Sequence, residues 1–306
     1  MNFKKEEYVV PAFLRQGDTI GVIAPARKIS EAELLGAVNW FEEQGFKVKF
    51  AANLFKTNNQ FSGTDEERAA DLMQMFTDPE VKAIICARGG YGSVRMLPYL
   101  NANVIKANPK WVVGYSDITV LHSYLHSECR MQTLHATMSV NFSSEKEQFT
   151  SWQKMLEVLM GRRFSFETEG NSLNRQGVAS GVIVGGNLSV LYSLRGTFAD
   201  IDTHGKILFI EDLDEYLYHV DRMMMNLKLG GKLSCLNGLI VGGLSDMKDN
   251  AIPFGMSACE IIADAVKEYD YPVIFDFPAG HQTANYPLLF GSAAEMQVAE
   301  IGKVVF

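Results

Sequence analysis

Ser116, Glu211 and His281 are of the three residue types that together perform acyl transfer: a hydroxyl nucleophile, an imidazole to take its proton, and a carboxylate to hold that imidazole in one tautomer. Each stands where a strand-like run ends. Residues 111–122, WVVGYSDITVLH, pass from two valines through Gly114 and Tyr115 to Ser116 and Asp117, and 118–125 then space apolar residues as a buried helix would. On such a strand–turn–helix elbow a serine is pushed out beside the first free N–H groups of the helix, where a developing oxyanion is stabilised. The hydrolase pattern G-x-S-x-G is met only in its first half, since Ile118 stands where the second glycine would be. A serine or aspartate at that place also serves as a plain helix N-cap. A buried strand over 205–212 ends in two carboxylates, of which Glu211 is read as the first residue past the apolar part, with Asp214 and Glu215 beyond it solvated. His281 lies in PAGHQT, a loop of turn formers expected to bury little apolar area. Singly these are a structural cap, a strand-end carboxylate and a surface histidine. Jointly, at strand ends and in the order nucleophile, acid, histidine, they point to a catalytic constellation.

The elements that must position them follow an α/β rhythm. Residues 18–26 read as a buried strand, and Ser30 with Glu31 and Glu33 caps a helix to about 44, stopped by Gly45. A strand over 46–50 follows, then a helix over 64–75 with Glu66, Glu67 and Arg68 on its polar side, then a strand over 81–87. Alternation of this kind builds a parallel sheet covered on both faces. Polar residues 161–181 read as a linker, which divides the chain into an N-terminal α/β domain (1–165) carrying the elbow, a linker (166–180) and a C-terminal domain (181–306) carrying Glu211 and His281. In the last part, strands are expected at 205–212, 238–243 and 272–277, helices at 187–195, 218–229 and 257–269, and an antiparallel hairpin from 293 to 306. Met223, Met224 and Met225 read as packing.

The third strand empties into Arg88-Gly89-Gly90-Tyr91-Gly92, a glycine-rich turn that lets backbone approach a ligand. It lacks both G-x-G-x-x-G and the P-loop ending, so it is not read as a nucleotide cradle. Its position matters more, because ligands of open parallel sheets sit beyond the carboxyl ends of the strands. Arg88, Gly89 and Tyr91 are the candidate substrate contacts, Arg88 through bidentate pairing with a carboxylate or, equally, held in an ordinary ion pair. His122 and His126 have i, i+4 metal-ligand spacing but no H-E-x-x-H glutamate, and are expected to pack; His135 is a candidate for lining the site.

The chain has 306 residues, 47% hydrophobic and 21% charged, with a net charge of −8. That balance argues against a nucleic-acid partner, which needs a clustered basic field. No signal peptide is read in the first 20 residues and no run suits a membrane span. Cys86, Cys129, Cys235 and Cys259 read as buried free thiols, so a cytoplasmic location is expected.

RGGYG at 88–92, GYSD at 114–117, IED at 210–212 and PAGH at 278–281 resemble the LD-carboxypeptidase family of serine peptidases, which includes the microcin C self-immunity peptidases. The likeness runs from GVIAPA near the amino terminus to YPLLFG at 286–291, where the leucine–proline order differs. It implies a Ser116–Glu211–His281 triad, an oxyanion hole from the backbone N–H groups of Gly90 and Asp117, and a parallel α/β domain followed by a smaller, mostly β C-terminal domain. It also implies a homodimer, no metal or organic cofactor, and a murein peptide substrate from which terminal D-alanine is released. Two alternatives stay open: a peptidase of the same family acting on an aminoacyl-nucleotide antibiotic, and a non-catalytic anion-binding module in which Ser116 only caps a helix.

Overall fold

The computed structural model describes residues 8–306. Residues 1–7, part of the segment read as lacking a signal peptide, lie outside the described residues. The first half runs β1 (Thr19–Ile23), α1 (Glu31–Glu43), β2 (Lys47–Phe50), α2 (Asp65–Thr77), β3 (Val81–Cys86), α3 (Ala102–Ala107), β4 (Trp111–Gly114), α4 (Thr119–Cys129), β5 (Thr133–His135) and α5 (Lys146–Leu159). The second runs β6 (Ser165–Glu167), β7 (Gly177–Asn187), α6 (Leu188–Ser193), β8 (Ile207–Leu213), α7 (Leu217–Leu229), β9 (Gly238–Ser245), α8 (Ala258–Ala265), β10 (Val273–Ile274), β11 (Leu288–Phe290), β12 (Ala293–Val298) and β13 (Gly302–Val305).

Two sheets result, with strand orders β11-β5-β4-β3-β1-β2 and β10-β9-β8-β7-β12-β13-β6. In the first, β1 to β5 are parallel, and β11 returns from the far end of the chain to pair antiparallel with β5. In the second, β7 to β10 are parallel and the remaining pairings antiparallel. The two-residue period of a strand sends neighbours to opposite faces. Thus Ile84 and Val112 join the core that includes Leu72 and Leu121, whereas Ile85 and Val113 join Trp40, Phe41 and Trp152. Burial on both faces is what a helix-covered parallel sheet requires.

Four expectations change. The polar stretch 166–180 is not outside the sheets: it contains part of β6 and the start of β7, whose partners β13 and β12 come from the end of the chain, too distant for local pattern to reveal. Arg68 is not on a solvated face. It is fully buried, because its guanidinium finds the carbonyl oxygens of Pro25 and Gly92 and the carboxylate of Asp65. Glu211 stands within β8, which runs on to Leu213, rather than at its end. Cys235 is exposed, while Cys86 and Cys129 are buried, and all four thiols are free. Among the described residues no helix is long and apolar enough to cross a membrane.

Candidate active site

β4 ends at Gly114, Tyr115 is extended, and Ser116 takes φ +63° as the first residue of a 3-10 turn that leads into α4. The left-handed region is sparsely used by residues with a Cβ, and such conformations recur at functional sites. Ile118 explains the missing second glycine. A Cβ on Gly114 would stand 2.8 Å from Ile118 Cγ1, so the first glycine makes the room that the isoleucine fills. Nor does Asp117 cap the helix. Its buried carboxylate accepts the Ser93 N–H at 2.9 Å and so ties the elbow to the segment after the glycine-rich turn. Burial raises its pKa against the opposing effect of the Ser93 hydrogen bonds.

That turn abuts the serine. A Cβ on Gly89 would lie 3.2 Å from Ser116 Cβ and 3.5 Å from its Oγ. Arg68 holds the turn from beneath through Gly92, with its guanidinium 5.1 Å from the centre of the Phe61 ring. No signal in α2 separates Arg68 from its charged neighbours, so sequence reasoning missed it.

Glu211 is fully buried, and its Oε2 accepts two donors from one residue: His281 Nδ1 at 2.6 Å and the His281 backbone N–H at 3.2 Å. With Nδ1 donating, Nε2 is left as the proton acceptor. Burial disfavours the charged imidazole. The hydrogen bond to Glu211 and the charges of Glu211 and Asp212 outweigh it, so the His281 pKa is raised. Asp212 points to the other face of β8, accepting from Asn187 Nδ2 and the Ser189 N–H at the start of α6. Burial, then the Glu211 charge, pushes it up to about 7.

The His281 loop is not the lightly packed turn expected, since Ala279 and Gly280 are buried. Gly280 has φ +99°, and a Cβ there would stand 2.7 Å from Glu211 Cβ and 2.8 Å from its Oε2. The Gly280 N–H donates to Asn285 Oδ1 at 2.9 Å, and the Asn285 N–H donates to Ser151 Oγ on α5 at 3.0 Å. Asn285 thereby joins the histidine loop to the first half of the chain, a role nothing in its local sequence announces.

Ser116, His281, Arg88, Gly89 and Gly90 line one cleft of about 490 Å³, together with Arg27, Tyr115, Asp214 and Glu215. The Tyr115 ring lies 4.8 Å from the His281 ring, and burial first, then the Glu211 charge, pushes its phenol up to about 12. No direct hydrogen bond joins Ser116 to His281 among the described residues; catalytic hydrogen bonds commonly tighten only with substrate bound. Tyr91 is outside the cleft lining, its half-exposed ring packed beside Phe61. Arg88 lines the cleft but is paired with Glu33 at 3.0 Å. His135 does not reach the cleft, being fully buried between Tyr115, Phe209 and Phe290. His122 and His126 are buried too, His122 Nε2 bonding to the Gly114 carbonyl at 2.9 Å and His126 Nε2 to Thr133 Oγ1 at 3.2 Å.

Family models described as the LD-carboxypeptidase N-terminal and C-terminal domains match residues 20–136 and 180–296. The chain belongs to the LD-carboxypeptidase family. It is 36% identical to a probable murein peptide carboxypeptidase of Bacillus subtilis, over 96% of this chain and 93% of that one. Among solved structures, it is similar to a muramoyltetrapeptide carboxypeptidase from Oxalobacter formigenes, with a TM-score of 0.84 and 26% identity over 94% of this chain and 98% of that one. MccF in complex with glutamyl sulfamoyl guanosine has a TM-score of 0.87 at 22% identity, covering 96% and 97%, a likeness of fold. As a member of the family, the chain is a serine-type carboxypeptidase.

Proposed function

We propose that this chain hydrolyses the amide between the L-centre of a diamino acid, or L-lysine, and the terminal D-alanine of murein tetrapeptides, in cytoplasmic peptidoglycan recycling and as a homodimer. Division into two domains joined at 166–180 belongs to the same proposal. Ser116 Oγ attacks the scissile carbonyl while His281 Nε2 takes its proton. The oxyanion accepts hydrogen bonds from the N–H groups of Gly90 and Asp117. His281 then protonates the departing amine, D-alanine leaves, and a water deprotonated by the same imidazole cleaves the acyl-enzyme to release tripeptide and restore Ser116. Glu211 fixes the imidazole tautomer and stabilises the imidazolium.

What carries this reading is the 2.6 Å contact of His281 with buried Glu211 in the same cleft that Ser116 lines at a left-handed φ. The names of the Bacillus and Oxalobacter relatives support the murein substrate. Likeness to MccF at 22% identity speaks only to fold, so it does not favour an aminoacyl-nucleotide substrate. A panel of murein tripeptide, murein tetrapeptide and an aminoacyl-nucleotide conjugate decides between them. D-Alanine release from the tetrapeptide alone, lost in Ser116→Ala, is the expected outcome; cleavage of the conjugate instead would move the substrate, and an undiminished Ser116→Ala would remove the serine mechanism.

A further inference from the structure

Four charged side chains besides the proposed triad line the cleft: Arg27, Arg88, Asp214 and Glu215. Three already have a side-chain partner in the protein. Arg88 pairs with Glu33 at 3.0 Å, Asp214 with Lys248 at 2.5 Å, and Glu215 with His219 at 2.5 Å. Arg27 is the exception: among the described residues its guanidinium has no ion-pair or hydrogen-bond partner. Its backbone is held, however, by the Arg27 N–H donating to the Gly89 carbonyl. Its stem lies across Gly90, where a Cβ would meet Arg27 Cδ at 2.6 Å and Nε at 2.7 Å. The unpaired cation is therefore laid along the glycine-rich turn that abuts Ser116.

We infer that Arg27 binds the free carboxylate of the residue that leaves, and so makes the enzyme act at chain ends. The inference rests on the carboxypeptidase activity proposed above and assigns a recognition element to it. In a peptide cut before its last residue, that carboxylate carbon is three bonds from the scissile carbonyl carbon, at most about 4.3 Å away through bonds. A cation selecting for it must stand beside the nucleophile, on the leaving-group side. A guanidinium presents a planar fork that matches a carboxylate with two parallel N–H donors, and one without a protein partner is free to do so. Arg88, the sequence candidate for this role, would first have to release Glu33.

The test uses two peptides, a murein tetrapeptide ending in D-alanine and the same peptide ending in D-alanine amide. Wild type is expected to favour the free acid in kcat/KM by about 10- to 100-fold, the range for a hydrogen bond to a charged group. Arg27→Met, which keeps the apolar stem, should abolish that preference, and Arg27→Lys should restore part of it. Equal losses on both peptides in Arg27→Met would assign Arg27 only to propping the turn and overturn the inference. So would loss of the preference in Arg88→Met but not Arg27→Met, or a wild type that cleaves both peptides alike. Failure of wild type to cleave either would overturn the carboxypeptidase substrate itself, and this assignment with it.

Discussion

Two donors of His281 converge on one oxygen of Glu211, and the other oxygen, Oε1, is buried with no hydrogen-bond partner among the described residues. Both hydrogen bonds to the carboxylate thus come from His281, and the imidazole's raised pKa comes from the carboxylate acting against burial. Catalysis needs His281 neutral, so kcat/KM should fall as pH drops through a pKa raised above the ordinary histidine value. Replacing Glu211 by Gln removes the hydrogen-bond acceptor charge and leaves burial, which lowers the pKa. We therefore expect Glu211→Gln to shift the acid limb of the kcat/KM profile to lower pH and to reduce plateau kcat by about 10³- to 10⁴-fold, since an amide can hold the wrong tautomer. A pH–rate profile measures both at once. An acid limb that stays in place would show that Glu211 does not set the titration of the base.

Elements deliver these groups by close approaches of backbone as much as by their own regularity. The His281 loop comes within reach of β8 only because Gly280 has no Cβ, so the element-scale test is Gly280→Ala beside Gly205→Ala. Both glycines have positive φ, and both substitutions carry about 1 kcal/mol of backbone strain. A Cβ at Gly205 meets nothing within 4 Å, whereas one at Gly280 collides with Glu211. Thermal melting should show a small loss for Gly205→Ala with activity kept. For Gly280→Ala we expect a larger loss and at least about a hundredfold fall in kcat, since a displacement near 1 Å suffices for that. Equal activity in the two variants would mean that the loop position is not what the glycine secures. Much at this scale was readable locally. Ser30 and Glu33 do form a capping box at α1, and the alternating tail does form the β12–β13 pair. Element ends were less readable, as at β10, where only Val273 and Ile274 of the run 272–277 find a strand partner.

Over the whole molecule, what the sequence concealed is what joins the halves. β11 crosses back to the first sheet, the Asn187 N–H donates to Thr119 Oγ1 at the head of α4, and Asn285 reaches Ser151. Each joins residues more than sixty positions apart, beyond any local periodicity, whereas the triad candidates were visible because each sits at the end of a hydrophobic run. At this seam lies His135, from β5, against Phe209 of β8 and Phe290 of β11, with neither ring nitrogen hydrogen-bonded among the described residues. Burial, then the charges of His122 and His281, holds its pKa well below the ordinary value. The consequence for stability has a definite sign. Below about pH 6.5 the unfolded chain protonates this histidine while the folded chain does not, so the unfolded state binds more protons and stability falls as pH falls. The contribution is fully present above the unfolded pKa and is lost toward the folded one, at about 1.4 kcal/mol per pH unit. Other groups add slopes of their own, as Asp212 does with the opposite sign, since its folded pKa is raised. A comparison of wild type with His135→Phe cancels them. Urea unfolding at pH 7.5 and 5.0 should show the variant gaining about 2 kcal/mol on wild type over that interval, whatever the two stabilities at pH 7.5. A difference that stays constant with pH would mean that His135 takes up its proton in the folded state as easily as in the unfolded one, and that the seam between the sheets is not closed to charge.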